Sequence, residues 1–119
     1  MEDKRQSLGK AGEEFAARLL TESGFKIITR NYRCPKGEMD IIARDGDMLV
    51  FIEVRTRRSS YRGWGEETIT QQKARRLQAI ASYYILQQRY ASWPSLRFDV
   101  LAIRWTKENP DTIWVKGAF

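Results

Sequence analysis

The sequence predicts one α/β domain, a mixed central sheet flanked by helices, with element order αβββαβ and a short trailing strand. Three observations carry that prediction. Apolar residues recur at helical spacing in two separated stretches, and three strand-like runs lie between them. The last two of those runs are joined by Asp45-Gly46, a dipeptide suited to a tight hairpin. At 119 residues the chain should bury about two-thirds of its unfolded surface, so a core forms without disulfide or metal staples.

Each element follows from its residues. Leu8, Ala11, Phe15, Ala16, Leu19 and Leu20 form an apolar stripe over Leu8–Leu20, with Ser7 as cap and Gly24 as exit. Phe25–Arg33, with its Phe, two Ile, Thr and Tyr, reads as a strand that the turn residues Cys34-Pro35-Lys36-Gly37 end. Glu38–Arg44 and Asp47–Arg55 are the hairpin arms. In the second arm Met48, Val50, Ile52 and Val54 face one way and Leu49 and Phe51 the other, so it belongs in the middle of the sheet. Thr56–Thr68 is polar, basic and aperiodic, a mobile loop by expectation. Leu77, Ile80, Ala81, Tyr84 and Ile85 restore helical spacing from a Thr70 cap to about Tyr90, and Ser92-Trp93-Pro94-Ser95 breaks that helix. Leu96–Trp105 is a strand, and Thr112–Lys116 is the last one after the Asn109-Pro110-Asp111 turn. With no repeat or linker, 1–119 reads as a single domain whose core spans about 7–105.

Charge and composition narrow the chemistry. Lys and Arg number 21 against 15 Asp and Glu, a formal net charge of +6, and with four Trp and five Tyr this favours an anionic partner, nucleic acid above all. Cys34 is the lone cysteine and histidine is absent. That removes an internal disulfide, a zinc site and every Ser-His or Cys-His nucleophile, and it points to a reducing compartment. Any catalysis must run on carboxylates, lysines, tyrosines or an oxygen-ligated metal. The charged stretch from Met1 to Lys10 and the brevity of Met48–Ile52, the longest apolar run, argue against a signal peptide or a membrane span, so a cytoplasmic protein is expected.

Glu38, Asp40, Glu53 and Arg55 lie on the two hairpin arms. A loop centred on Asp45-Gly46 places Glu38 opposite Glu53 and Asp40 opposite Phe51, with all four charged side chains on one face. Asp40 is then diagonal to Glu53 at roughly 7–8 Å, a separation from which two carboxylates converge on one divalent cation. Mg²⁺ is the natural ion and Mn²⁺ its substitute, with no zinc, haem or nucleotide cofactor expected. The same acids could instead be an ion-pair cluster neutralised by Arg55 and neighbouring arginines. Glu13 sits at the margin of the first helix's apolar stripe, either aimed at the cluster or an ordinary first-turn glutamate. From Glu53 to Arg76 the basic residues outnumber the acids, and Tyr61 and Trp64 lie among them. Arg57, Arg58, Arg62, Lys73 and Arg76 are therefore candidate contacts to nucleic acid, DNA favoured, unless the run is a solvated face.

These residues resemble a known family. Gly12-Glu13-x-x-Ala16, Gly24-Phe25, Asn31-Tyr32-Arg33, Gly37-Glu38-Met39-Asp40-Ile41-Ile42, Phe51-Ile52-Glu53-Val54-Arg55, Lys73 and Arg97-Phe98-Asp99-Val100 are similar to the YraN family of bacterial proteins, over about residues 7–105. That family looks like a member of the PD-(D/E)XK, restriction-endonuclease-like nuclease superfamily, close to archaeal Holliday-junction resolvases. The resemblance implies the same αβββαβ core and a metal held by Glu13, Asp40 and Glu53. One departure stands out. Arg55 occupies the place of the superfamily's lysine, and a guanidinium stays protonated, so it stabilises charge on a phosphate but does not act as a base.

The expected function is a Mg²⁺-dependent endonuclease acting on DNA, branched or otherwise structured. Asp40 and Glu53 would hold the metal, Glu13 would complete its shell, Glu38 would support the cluster, and Arg55 would face the scissile phosphate. Resolvase-like chemistry would want a homodimer. The alternatives are a non-catalytic nucleic-acid-binding module on the same fold and a partner-binding protein using Trp93, Trp105 and Trp114.

Overall fold

The computed structural model describes residues 4–58, 69–106 and 110–119. Within them the chain runs α1 (Lys4–Glu22), β1 (Lys26–Cys34), β2 (Gly37–Asp45), β3 (Met48–Arg58), α2 (Gln71–Gln88), β4 (Leu96–Trp105) and β5 (Asp111–Val115). The expected class and element order are observed, trailing strand included. Two boundaries differ by three residues or more. Helix α1 starts earlier, because Lys4, Arg5 and Gln6 are good helix formers, so Ser7 lies inside it and not at its start. Strand β3 also runs on through Thr56, Arg57 and Arg58, which pair with Ile103, Arg104 and Trp105. The rest of the expected loop, with Tyr61, Arg62 and Trp64, lies outside the described residues, as does Asn109.

The strands form one sheet in the order β1-β2-β3-β4-β5. All neighbours are antiparallel except β3 and β4, and that parallel pair requires the crossover that α2 provides. The side-chain alternation of the central strand β3 divides the core in two. Val50 and Ile52 join Ala16, Leu20, Ile41 and Leu101 under α1, while Leu49 and Phe51 join Met39, Leu77, Ile80 and Tyr84 under α2. Each helix thus covers one face of the sheet.

Capping fixes both helices where they approach the sheet. Gly24 takes the left-handed conformation (φ 91°), its N–H donates to Thr21 O at 3.1 Å, and the Phe25 N–H donates to Leu20 O at 2.9 Å. Phe25 then packs into the same cluster as Leu20, which completes a Schellman stop. At the start of α2 the Thr70 hydroxyl accepts from the backbone N–H of Lys73 at 3.1 Å, so Lys73 is held in the first turn. No described helix is long and apolar enough to cross a membrane.

Candidate functional site

The β2–β3 turn sets the register on which the site depends. Asp45 pairs with Met48, so the two loop residues are Gly46 and Asp47. Gly46 carries the positive φ (60°) and Asp47 does not, the II′ pattern that suits strand twist. The pairing is therefore displaced by two residues from the expected one, and Ile42 rather than Asp40 lies opposite Phe51. A shift of two preserves the faces of the paired residues, since side chains alternate with that period. It moves Asp40 level with Glu53 rather than diagonal to it.

At that level the hairpin comes apart. Paired positions end at Ile41 and Ile52, after which β2 continues beside β1 and β3 continues beside β4. Strand β2 is also irregular here: Ile41 and Ala43 pack under α1, yet Met39 and Ile42 both pack under α2. Across from the irregularity Asn31 has a left-handed φ of 54° and lies between the paired residues Arg30 and Tyr32. The Asp40 carboxylate fills the gap, and its Oδ2 accepts from the Val54 N–H at 2.7 Å. A side chain thus replaces the ladder bond that the departing strand no longer offers.

The opening is a cleft of about 310 Å³ whose wall includes Asp40 and Glu53, the cations Lys73 and Arg76, and the apolar Met39 and Leu77. The Glu53 side chain is 13% exposed. Lys73 Nζ contacts its Oε1, and Arg55 Nη2 lies 3.5 Å from its Oε2. Oε2 is nevertheless buried and accepts no hydrogen bond among the described residues. Burial pushes the Asp40 carboxyl up to about 6; the Val54 N–H and the Lys73 charge oppose the rise, while Glu13 and Glu53 add to it.

Glu13 reaches this charge field from α1. Gly12 lies so close to β3 that a Cβ there would overlap the Thr56 hydroxyl, and this approach brings the next residue toward Asp40. With the Asn31 amide nitrogen turned to Glu13, it donates to the two carboxylate oxygens at 3.3 and 3.1 Å. Glu14, one residue on, points outward to Arg30 at 3.0 Å. Asp40 and Glu53 share the cleft, but the three acids do not converge as a trio. Among the described residues no three ligand side chains lie close enough to hold one ion.

The other expected residues separate. Glu38 stands at the cleft rim, 66% exposed, with its carboxylate 3.1 Å from Arg33 Nε. Arg55 flanks Glu53 at the sheet, and its side chain is only 12% exposed. Arg57 Nη1 donates to Thr56 O at 3.0 Å, and Arg58 closes β3. Trp105 packs edge-on against Phe15, Trp114 packs against Phe25, and Trp93 stands 56% exposed.

Sequence reasoning missed two features. One is the ion pair of Lys73 with Glu53, which spans the crossover and which no local pattern signals. The other is Asp99, 1% exposed. It accepts from Arg97 Nε and Nη2 at 2.8 and 2.9 Å, from Trp114 Nε1 at 2.9 Å and from the Gly117 N–H at 3.0 Å. Arg97 two residues before it, on the same strand face, was the signal there.

The profile of the uncharacterised protein family UPF0102 matches residues 12–103. A UPF0102 protein of Desulfitobacterium hafniense strain Y51 is 51% identical over 120 aligned positions, covering 98% of this chain and 99% of its own. One of Moorella thermoacetica is 46% identical over 118 positions, 97% of each chain. One of Herminiimonas arsenicoxydans is 43% identical over 114 positions, 96% of this chain and 87% of its own.

Proposed function

The chain belongs to the uncharacterised protein family UPF0102, the family called YraN above, and from that premise we propose that it is a divalent-metal-dependent endonuclease acting on DNA, branched or otherwise structured. One observation carries the reading. Two carboxylates meet where β2 and β3 part, in a cleft with two cations on its wall, and one buried carboxylate oxygen, Glu53 Oε2, accepts no hydrogen bond among the described residues. An acceptor taken out of water without a donor is costly unless a ligand completes it.

The donors present fit a hard cation. They are oxygens, there are two, and the cleft is open for a phosphate, which matches the way Mg²⁺ binds through one or two carboxylates and substrate oxygens. Held by Asp40 and Glu53, Mg²⁺ or Mn²⁺ would polarise a phosphate oxygen and make water a better nucleophile. The chain's own residues do the rest. Lys73 and Arg76 meet the phosphate's negative charge, Glu13 adds negative potential at Asp40 and orients water, and Arg55 keeps Glu53 in place. A reducing, cytoplasmic setting accords with the lone Cys34, and a homodimer would match a two-fold symmetric branched substrate.

The test is incubation with branched, duplex and single-stranded DNA in Mg²⁺ or Mn²⁺, with Asp40→Asn as the control. Cleavage by the native chain, reduced at least about 100-fold in the variant, supports the proposal. Equal background from both on every substrate overturns it. Arg55 in the lysine position favours a second reading, a binding module that does not cut. In that case salt-sensitive DNA binding survives Glu53→Gln and weakens when Arg57 or Lys73 is neutralised.

A further inference from the structure

Glu53 is held by two cations of different kinds. Arg55 comes from the same strand, with its side chain 12% exposed and its guanidinium 3.5 Å from Oε2. Lys73 comes from the first turn of α2, is 32% exposed, and touches Oε1 from the cleft side. Its backbone is anchored through the Thr70 hydroxyl, and its ammonium is held by the ion pair with Glu53. The four-carbon stem lets the ammonium swing away without moving the helix, which a planar, buried guanidinium does not do.

That placement puts the Lys73 ammonium on Oε1 of the same carboxylate whose other oxygen, Oε2, lacks a donor among the described residues. An ammonium on one oxygen of a carboxylate and a divalent cation on the other would hold like charges close together, so the two do not share Glu53 without a cost. We infer that Lys73 is the resident counter-ion of this site: its ammonium occupies Glu53 in the metal-free protein, a divalent cation displaces it, and the displaced ammonium takes a phosphate oxygen of the nucleic acid. The inference rests on the metal-site reading above. Arg76, three residues along the same helix, lies on the same cleft wall and gives the released ammonium a cationic neighbour facing the same phosphate. Metal and nucleic acid then bind cooperatively, because the phosphate draws Lys73 off the carboxylate that the metal needs and the metal releases the ammonium that the phosphate takes, and the coupling is reciprocal.

Calorimetric titration of Mn²⁺ into the metal-free protein tests this, with the native chain, Lys73→Gln and Lys73→Arg compared near neutral pH. Gln at this position forms a capping box with Thr70, so the variant should keep α2, which a thermal melt checks. Lys73→Gln should bind Mn²⁺ about tenfold more tightly, the equivalent of removing one opposing charge at contact range in a water-like dielectric. Lys73→Arg, which keeps the charge, should remain near the native affinity. A non-cleavable phosphorothioate duplex should tighten Mn²⁺ binding in the native chain and lose most of that effect in Lys73→Gln. A purely structural role for Lys73 would weaken metal binding on its loss, not strengthen it. If the native chain binds Mn²⁺ and Lys73→Gln binds it no more tightly, the inference is overturned and the metal site stands. If neither binds Mn²⁺, the metal site itself falls, and the inference with it.

Discussion

Asp99 on β4 and the Asp40–Glu53 pair between β2 and β3 belong to one sheet, and the fold treats them in opposite ways. Asp99 is 1% exposed and accepts four hydrogen bonds, two from Arg97 and one each from Trp114 and Gly117. Asp40 accepts one hydrogen bond from the backbone, and Glu53 keeps a buried oxygen that accepts none among the described residues. A carboxylate whose lone pairs are all engaged has no capacity left, so its work is structural. It ties β5 and the C-terminal turn to β4. A carboxylate left short of donors costs stability but retains affinity for a cation, and such a deficit persists where a ligand completes it.

The sharpest way to break this contrast is to remove Asp99. Asp99→Ala leaves the Arg97 guanidinium, the Trp114 indole N–H and the Gly117 N–H without their acceptor, and removing one partner of a buried ion pair costs about 3–5 kcal/mol. Urea denaturation should show a loss of that size, with the Phe25–Trp114 contact at 5.3 Å loosened in near-ultraviolet circular dichroism. A loss below about 1 kcal/mol would mean that Asp99 behaves as an exposed ion pair, and the structural assignment would fail.

Asp40 should respond in the opposite direction. Burial raises its carboxyl from 3.8 to about 6, so between those values the folded chain holds a proton that the unfolded chain has released. Its contribution to stability is full below the lower value and is lost as pH rises through the upper one. The full swing is about 3 kcal/mol. In metal-free buffer Asp40→Asn should therefore be more stable than the native chain at neutral pH, with the difference vanishing toward pH 4, because the amide oxygen still accepts from Val54. Urea midpoints across that range check the sign. Adding Mn²⁺ should narrow or reverse the gap, since an ion that binds only the native fold stabilises it by mass action. An Asp40→Asn variant that is less stable at neutral pH would place Asp40 beside Asp99 as a structural group.

The same division explains what could be seen in the sequence. Local signals sufficed for local features: the Gly24 stop, the Thr70 cap and the two-faced apolar pattern of β3 all stand where periodicity and turn chemistry put them. The Asp45-Gly46 hairpin was legible as a turn but not in register, because a glycine with positive φ serves either as the second residue of a I′ loop or as the first of a II′ loop. Both the expected centre and the observed one lead to even-length loops, so the faces of the paired residues survived while the partners moved by two. Charged partners from distant segments were not legible. Asp99 finds Trp114 and Gly117 15 and 18 residues away, and Lys73 reaches Glu53 across the crossover. Those meetings depend on strand order, which no local pattern encodes. The Asn31 conformation that faces Glu13 was equally silent, since a lone asparagine in a strand carries no sign of a left-handed φ.

Glu38 provides the smallest effect and the finest edge of the contrast. It shares strand β2 with Asp40 and lies at the cleft rim, yet its carboxylate turns to Arg33 at 3.1 Å and is 66% exposed. An ion pair of that exposure exchanges one hydrated environment for another, so Glu38→Gln should change stability by no more than about 0.5 kcal/mol, and less in high salt. Mn²⁺ affinity should also stay within about twofold of native, because screening by solvent leaves an exposed rim charge little influence on an ion held deeper in the cleft. Calorimetry on Glu38→Gln beside Glu53→Gln measures both. Should Glu38→Gln lose Mn²⁺ binding as fully as is expected of Glu53→Gln, exposure would not separate the carboxylates proposed to bind from those that only decorate the surface, and the proposed site would have to be redrawn to include the rim.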